Sequence, residues 1–292
     1  MSTGRPARPD AAMLTAPASA GAGPDSGGAA TPATVTGLGT VAPESGEVRS
    51  YVKSLERSRL SLTRPDRPSE FSLLGRRWDL LDHVFAPPYS PSTRIALELL
   101  GLDAVPDAAT PLGADAPTFL EVGSGTGVIA VHAALAGHRV AAVDINVHAV
   151  RNTALNAARH GVTDRLEATH GDLLAPFAGR RFDRIFWSSN YVLAPEGYAF
   201  RDDHERAYVD PGYRAHRRYL TEAVRCLTPE GRALLHFCDR GQFDVLSRIA
   251  AEQGCELRPV ASRTVLEGEH EVRHVLLEIR ALVPTLSAGP ND

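Results

Sequence analysis

The residues best suited to chemistry fall into short clusters. The first is Glu121-Val122-Gly123-Ser124-Gly125-Thr126-Gly127, an acid followed by a G-x-G-x-G loop. Glycines let a backbone turn sharply and approach a ligand without Cβ clashes. A dinucleotide fingerprint wants glycine at 128, where Val128 stands. A methionine-like moiety needs no pyrophosphate cradle. It needs an acceptor for its ammonium group, and Glu121 is placed to serve directly or through water. The second cluster, Val143-Asp144-Ile145-Asn146, offers a carboxylate for both hydroxyls of a ribose and Ile145 to pack on the base. Nicotinamide enzymes use the same device, so Asp144 alone marks a nucleoside rather than its identity. The third, Gly171-Asp172-Leu173, offers a carboxylate to an adenine amino group, with Leu173 beside it. Together the three favour S-adenosylmethionine as cofactor over a dinucleotide.

A fourth cluster, Ser188-Ser189-Asn190-Tyr191, follows the next apolar stretch and is expected to line the acceptor side. Tyr191 offers an aromatic wall and a hydroxyl, Ser189 and Asn190 offer polar contacts, and Ser188 lies nearest the cofactor. General-base candidates are Asp202, Asp203, His204 and Glu205, of which His204 is singled out beside Tyr191 as catalytic; His236 is another. For each, a solvated loop charge or a satisfied strand histidine is the competing reading. Arg201, Arg206, Arg214, Arg217 and Arg218 are read either as a grip on an anionic substrate or as a solvated helix face. His270-Glu271-Val272-Arg273-His274 matches H-E-x-x-H, but that motif holds zinc only on a helix. In a strand, at about 3.3 Å per residue, its histidines stand about 13 Å apart, so no metal is expected.

The elements that must position these clusters are legible from periodicity. Apolar strands are predicted at 118–122, 139–145, 165–170, 182–187, 233–237, 256–262 and 272–282. Helices are predicted at 92–100, 128–136, 146–160, 213–226 and 243–253, with Asn146 as an N-cap and Gly137 and Gly161 as stops. Alternation of this kind means an α/β fold: a doubly wound, mostly parallel, seven-stranded Rossmann-like sheet with an antiparallel pair at its end. In such sheets ligands sit outside the carboxyl ends of the strands, which is where all four clusters fall. Upstream, Val48, Tyr51, Val52 and Leu55 at i, i+3, i+4 and i+7 predict a short amphipathic helix, and 71–89 an extended segment or hairpin.

Composition sets the limits. Residues 1–46 are almost wholly Ala, Gly, Pro, Ser and Thr and cannot bury enough apolar surface to offset ordering entropy, so they read as a tail. Residues 47–115 read as an N-terminal lid and substrate region, 116–284 as the cofactor-binding catalytic domain, and 285–292 as a short terminal tail. The tail lacks the continuous apolar run of a signal peptide, and no stretch approaches the roughly 20 apolar residues of a membrane span. The three cysteines fit no metal spacing and suggest a reducing compartment, so the expected location is cytoplasmic, with no membrane partner. Of the 31 basic residues, Lys53 is the only lysine, and it follows no glycine loop. That excludes a Lys-dependent P-loop, a pyridoxal Schiff base and a catalytic lysine of the dehydrogenase kind. A net charge of −4 argues against a large nucleic-acid surface. The partner expected from these features is a free small molecule and not a nucleic acid; Tyr51 and its neighbours are a candidate homodimer contact.

Residues 118–192 resemble class I S-adenosylmethionine-dependent methyltransferases, in particular the group that methylates protein glutamine at N5. The likeness extends to Val84-Phe85-Ala86-Pro87 with Pro91-Ser92-Thr93, and to Ala207-Tyr208-Val209-Asp210-Pro211-Gly212. It implies that Glu121, Gly123, Gly125, Gly127, Asp144 and Asp172 bind the cofactor, with Thr93 beside it; Tyr89 is expected to face the acceptor. The departure lies where that group carries Asn-Pro-Pro-Tyr to hold a planar NH₂. Here Ser188-Ser189-Asn190-Tyr191 keeps the tyrosine and lacks the first asparagine. The expected reaction is therefore methyl transfer to oxygen or nitrogen of a small molecule, with protein-glutamine or nucleic-acid amino methylation as the alternative.

Overall fold

The computed structural model describes residues 49–106 and 108–282. The expected tails at 1–46 and 285–292 lie outside the described residues. The chain runs α1 (Tyr51–Thr63), β1 (Glu70–Leu73), β2 (Arg76–Asp79), α2 (Ser92–Leu100), β3 (Thr118–Val122), α3 (Val128–Leu135), β4 (Arg139–Asp144), α4 (Val147–Arg159), β5 (Leu166–His170) and β6 (Phe182–Ser188). It continues through β7 (Val192–Ala194), β8 (Val209–Pro211), α5 (Arg214–Arg225), β9 (Leu227–Cys238), α6 (Phe243–Glu252), β10 (Cys255–Glu267) and β11 (His270–Ala281).

Seven strands form one sheet in the order β10-β11-β9-β6-β3-β4-β5. Pairing from β9 through β6, β3 and β4 to β5 is parallel, whereas β11 is antiparallel to both β9 and β10. This is the doubly wound, mostly parallel, Rossmann-like sheet expected from the sequence, with the antiparallel pair at one edge. Strand order reverses between β3 and β6, so the carboxyl ends of β3, β4 and β6 open on one crevice, the usual ligand position in such sheets.

Period-two alternation splits the core into two layers. Phe119, Phe186 and Leu276 point into one cluster with α3 and the buried Trp78. Their neighbours Leu120, Trp187 and Leu277 point into the other, with Tyr219, Leu220 and Leu246. All eight residues of α3 are buried, so this helix is apolar all round and sits between sheet and N-terminal segment. Asn146 caps α4, its side chain accepting from the His148 amide at 2.9 Å. Asn152 and Asn156, both fully buried on α4, bond the backbone around β2 and so dock the β1–β2 hairpin.

The first helix departs from expectation. Its buried residues are Ser54, Ser58 and Ser61, while Val52 is 59% exposed. The serine face wins because it meets polar groups: Ser54 Oγ donates to Tyr208 O at 3.2 Å and Ser58 Oγ lies 2.7 Å from His204 Nδ1. An apolar face there would leave those buried groups unsatisfied. Tyr51, expected at a dimer contact, is half-buried within the chain and packs edge-on against Tyr198. The three cysteines are free thiols. No helix among the described residues is long and apolar enough to cross a membrane.

Candidate functional site

One cavity of about 1320 Å³ opens along the carboxyl ends of the central strands. Its wall includes Glu121, Gly123, Gly125, Asp144, Ile145, Asp172, Leu173 and Ser188, with Tyr89, Thr93, Ser189, Asn190, Tyr191 and His204. Of the residues expected to bind cofactor or acceptor, Gly127 alone is outside it; among the further candidates, Arg201, Asp202, Glu205, Arg217 and His236 do not line it either. Gly127 has φ +77°, and a Cβ there would lie 2.8 Å from Thr153 Cα, so this glycine lets α3 begin against α4 rather than touching a ligand. Its place in the motif is a packing requirement.

The strand ends are set up as hydrogen-bond acceptors. Asp144 Oδ2 accepts from the Gly125 amide and Oδ1 from the Asn146 amide, both at 2.9 Å. One backbone donor per oxygen fixes the carboxylate and leaves each oxygen further acceptor capacity, which suits a vicinal diol. Burial pushes the Asp144 carboxyl up to about 6 even against those two bonds. Glu121 is buried and accepts from the Ala130 amide through Oε2 at 2.8 Å; burial holds its pKa well above the usual carboxylate range. A cationic ligand group would favour its charged form. Gly123 has φ +67°, and a Cβ would lie 3.2 Å from Trp187 Nε1, so a side chain at this position would fill the space between loop and indole. The donor set, the acids and the glycine cradle all fit an adenosyl group bearing an amino-acid tail. Asp172 is paired with Arg218 at 2.5 Å, and its side chain is 52% exposed.

The acceptor side is more tightly knit than its sequence suggests. Ser189 donates its hydroxyl to His236 O at 3.0 Å. Asn190 Nδ2 donates to Arg206 O and Val209 O at 2.9 and 2.8 Å. Both side chains thus brace the loop after β6, with their donors spent on main-chain carbonyls. His204 is 2% exposed and lies beneath α1; burial, with Arg67 nearby, lowers its pKa to about 4, which leaves a neutral and weakly basic imidazole. The acids around it also serve the loop: Asp203 pairs with Arg206 at 2.9 Å, Asp202 accepts from the Glu205 amide, and Glu205 accepts from Tyr198 and the Arg201 amide. Arg217 pairs with Glu252 at 2.7 Å, away from the cavity, whereas Arg214 and Arg218 line it. The Tyr89 hydroxyl is buried with no protein partner, and its ring is covered by the Arg64 guanidinium 4.8 Å from the centroid.

Four residues that the sequence did not single out for this site stand beside it. Arg57, Arg240 and Glu267 line the cavity, and His274 lies behind it against His236. The available signal was the H-E-x-x-H segment. It lies in β11 as expected of a strand, yet its second histidine faces the layer behind Ser188 instead of solvent.

Residues 119–202 match the family model described as a methyltransferase domain. The segment is a class I methyltransferase domain, and S-adenosylmethionine is the cofactor that goes with it. Similar proteins include a release factor glutamine methyltransferase of Aquifex aeolicus, 28% identical over 52% of this chain and 50% of its own. A ribosomal protein uL3 glutamine methyltransferase of Bradyrhizobium diazoefficiens is 36% identical over 38% of each chain. A tRNA1(Val) (adenine(37)-N6)-methyltransferase of Vibrio vulnificus is 28% identical over 50% of this chain and 64% of its own. The chain spans half or less of the length of the first curated relatives it matches, 34% for a bifunctional methyltransferase of Rickettsia felis. Among solved structures, the ribosomal protein L11 methylase of Lactobacillus delbrueckii subsp. bulgaricus aligns with a TM-score of 0.43 at 18% identity, over 65% of this chain and 78% of that one. The relatives correct one expectation outright. Their substrates, as named, are proteins and tRNA, so a partner set restricted to a free small molecule and excluding nucleic acid does not stand.

Proposed function

We propose that the chain transfers a methyl group from S-adenosylmethionine to a polar side chain presented on a protein, at the end of β6. The observation that carries this reading is the cavity itself. At about 1320 Å³ it exceeds the roughly 300–1,000 Å³ usual for one small-molecule ligand, so it has room beside the cofactor, and it continues past the strand ends to Tyr89, Tyr191 and α1. The extra room is where a side chain carried on a larger partner would enter. The named substrates of the release-factor and uL3 relatives support the same class.

When bound, S-adenosylmethionine supplies a methyl on a sulfonium whose departure needs little help. The residues' task is alignment and exclusion of water, which can be worth roughly 7–11 kcal/mol. In this reading Asp144 grips the ribose, Glu121 meets the ammonium group, Asp172 meets the adenine, and Ile145 and Leu173 flank the base. Gly123 and Gly125 let the backbone approach, with Thr93 and Ser188 at the methyl end. Tyr191 walls the acceptor, and α1 closes the cavity as a lid. Ser188 replaces the asparagine of the glutamine-methylating group, so the acceptor is held by a hydroxyl here.

A second reading, an amino group of a nucleic acid, draws on the arginines at the rim, Arg214 among them, and on the tRNA-modifying relative. The test incubates the protein and methyl-labelled cofactor separately with unmodified release factors, ribosomal proteins, tRNA and rRNA. Label on a protein is expected, and Tyr191→Ala should remove most of it while S-adenosylhomocysteine still binds. Label confined to nucleic acid would install the second reading. Label on neither fraction would sink both.

A further inference from the structure

Behind the acceptor end of the cavity lies a chain of four side chains from four strands. Ser188 Oγ is 3.0 Å from His236 Nδ1, His236 Nε2 is 2.9 Å from His274 Nδ1, and His274 Nε2 is 2.8 Å from Glu267 Oε1. The Tyr191 hydroxyl lies 3.3 Å from the same His236 nitrogen. Both imidazoles are fully buried, while Ser188 at one end and Glu267 at the other line the cavity. His236 faces Leu276 across the β9–β11 pairing, which makes His274 its diagonal neighbour on the same face. Glu267 reaches them from the end of β10, just before the turn at Gly268-Glu269.

One carboxylate fixes every proton in this chain. Ionised Glu267 can only accept, so His274 Nε2 carries a hydrogen. When that is the only hydrogen on the His274 ring, its Nδ1 is bare and accepts from His236 Nε2–H. His236 is in turn left with a bare Nδ1 that accepts from the Ser188 hydroxyl. Burial, reinforced by His274, holds the His236 pKa well below its usual value and keeps that ring neutral. Although burial alone would raise the Glu267 pKa, the His274 hydrogen bond and Arg240 outweigh it and hold the group ionised. Arg240 Nε donates to Glu267 Oε2 at 2.8 Å, which leaves Oε1 for His274.

We propose that Ser188, His236, His274 and Glu267 form a proton relay through which the methyl acceptor gives up its hydrogen. The inference rests on the methyl-transfer reading of this cavity. As the acceptor's X–H proton passes to Ser188 Oγ, Ser188 passes its own hydroxyl proton to His236 Nδ1. His236 passes its Nε2 proton to His274 Nδ1. The electron pair released on X forms the bond to the methyl carbon, and the pair of the broken sulfur–methyl bond stays on sulfur. His274 ends as an imidazolium against the Glu267 carboxylate, so the positive charge lost at sulfur reappears beside Glu267 and total charge is unchanged. Because Glu267 also faces the cavity, the proton has a way out that does not retrace the acceptor. Ser188 touches the acceptor in this scheme; His236, His274 and Glu267 act through it as positioning residues.

The relay makes a prediction about proton positions that a merely structural cluster does not. Long-range ¹⁵N–¹H correlations of the imidazoles, with S-adenosylhomocysteine present, should show both rings protonated at Nε2 and bare at Nδ1. In Glu267→Gln, Arg240 retains the amide oxygen and the amide NH₂ is turned toward His274. That forces His274, and through it His236, into the Nδ1–H form, so His236 donates to Ser188 and can no longer receive a proton, the wrong-tautomer failure known from catalytic triads. Ser188→Ala should leave both tautomers as in the wild type, since they are set from the Glu267 end. A wild-type His236 that carries a proton on Nδ1, or a Glu267→Gln chain whose His236 keeps its form, overturns the relay. Label transfer by Glu267→Gln should fall by about 10²–10⁴-fold with unchanged S-adenosylhomocysteine affinity, and equal transfer overturns it too. Absence of transfer by the wild type speaks against the methyltransferase assignment of the cavity and leaves the wild-type tautomers to decide the relay.

Discussion

The two sides of the cavity are assembled by different means. On the cofactor side, Glu121, Asp144 and Asp172 stand at or just beyond the ends of β3, β4 and β5, neighbouring parallel strands. Parallel topology carries every strand end to the same edge, so three local motifs in the sequence are already one site in space. On the acceptor side, Ser188, His236, Glu267 and His274 come from β6, β9, β10 and β11, and only Glu267 and His274, seven residues apart on one hairpin, are near in the chain. They meet because β11 runs antiparallel between β9 and β10 in one particular register. A slip of one residue would turn His274 to the opposite face. Motifs at parallel strand ends survive small rearrangements; a network between antiparallel strands depends on register.

The comparison is broken hardest at Gly127. A side chain there meets Thr153 backbone and must also hold φ +77°. Backbone strain costs about 1–3 kcal/mol and overpacking about the same again, so Gly127→Val should lower Tm by many degrees. Gly125→Ala, with φ +54° and open space around its Cβ, should show the strain alone. Equal losses in the two variants would remove the packing role assigned to Gly127.

The next largest effect is on binding. Asp144→Ala removes a charged acceptor, worth about 1.5–3 kcal/mol, or roughly 10- to 150-fold in S-adenosylhomocysteine affinity by calorimetry. Its pH dependence sharpens the point. Burial raises the Asp144 carboxyl to about 6 in the free protein, and the ribose needs the ionised form. Affinity should be flat above about pH 6 and fall toward tenfold per unit below it. Stability of the free protein should move the other way: keeping Asp144 ionised costs stability above about pH 6, and that cost is relieved as pH falls toward the ordinary aspartate value. Asp144→Asn should flatten both trends. An affinity in the wild type that is constant down to pH 4.5 would detach Asp144 from the ribose.

The same contrast decides how much the sequence could tell. The seven strands, their mostly parallel pairing and the crevice were legible because buried parallel strands are continuous apolar runs punctuated by glycine and Asn caps. The serine face of α1 was missed because periodicity counts apolar side chains, and the decisive partners were a buried His204 and a carbonyl over a hundred residues away. Asn190 was read as a contact for the acceptor; it lines the cavity with its Oδ1 unpartnered, but its Nδ2 also bonds Arg206 O and Val209 O, a loop-bracing role that no short motif encodes. His274 was read as lying in a strand, and it does lie in β11. Its pairing with His236 depended on strand register, which spacing along one segment does not reveal.

The smallest expected effect concerns Arg218, where the cofactor side meets the rest of the cavity. Arg218 pairs with Asp172 and, at 3.0 Å, with Glu222, and its side chain is 44% exposed. Exposed pairs of this kind contribute about 0–1 kcal/mol, since solvent screens the attraction and two long side chains must be held still. Arg218→Ala should therefore leave Tm nearly unchanged. Its effect on the cofactor is subtler. An adenine amino group and the Arg218 guanidinium both donate to Asp172, so removing the arginine frees an oxygen while withdrawing the charge that orients it. The two consequences oppose each other, and S-adenosylhomocysteine affinity should shift by less than about threefold, well under one tenfold step of about 1.4 kcal/mol. Asp172→Asn should weaken binding more than Arg218→Ala, because it exchanges an ionised acceptor for a neutral amide. If Arg218→Ala instead cost as much as Asp144→Ala, the arginine itself would be a ligand contact, and the cofactor side would extend onto α5.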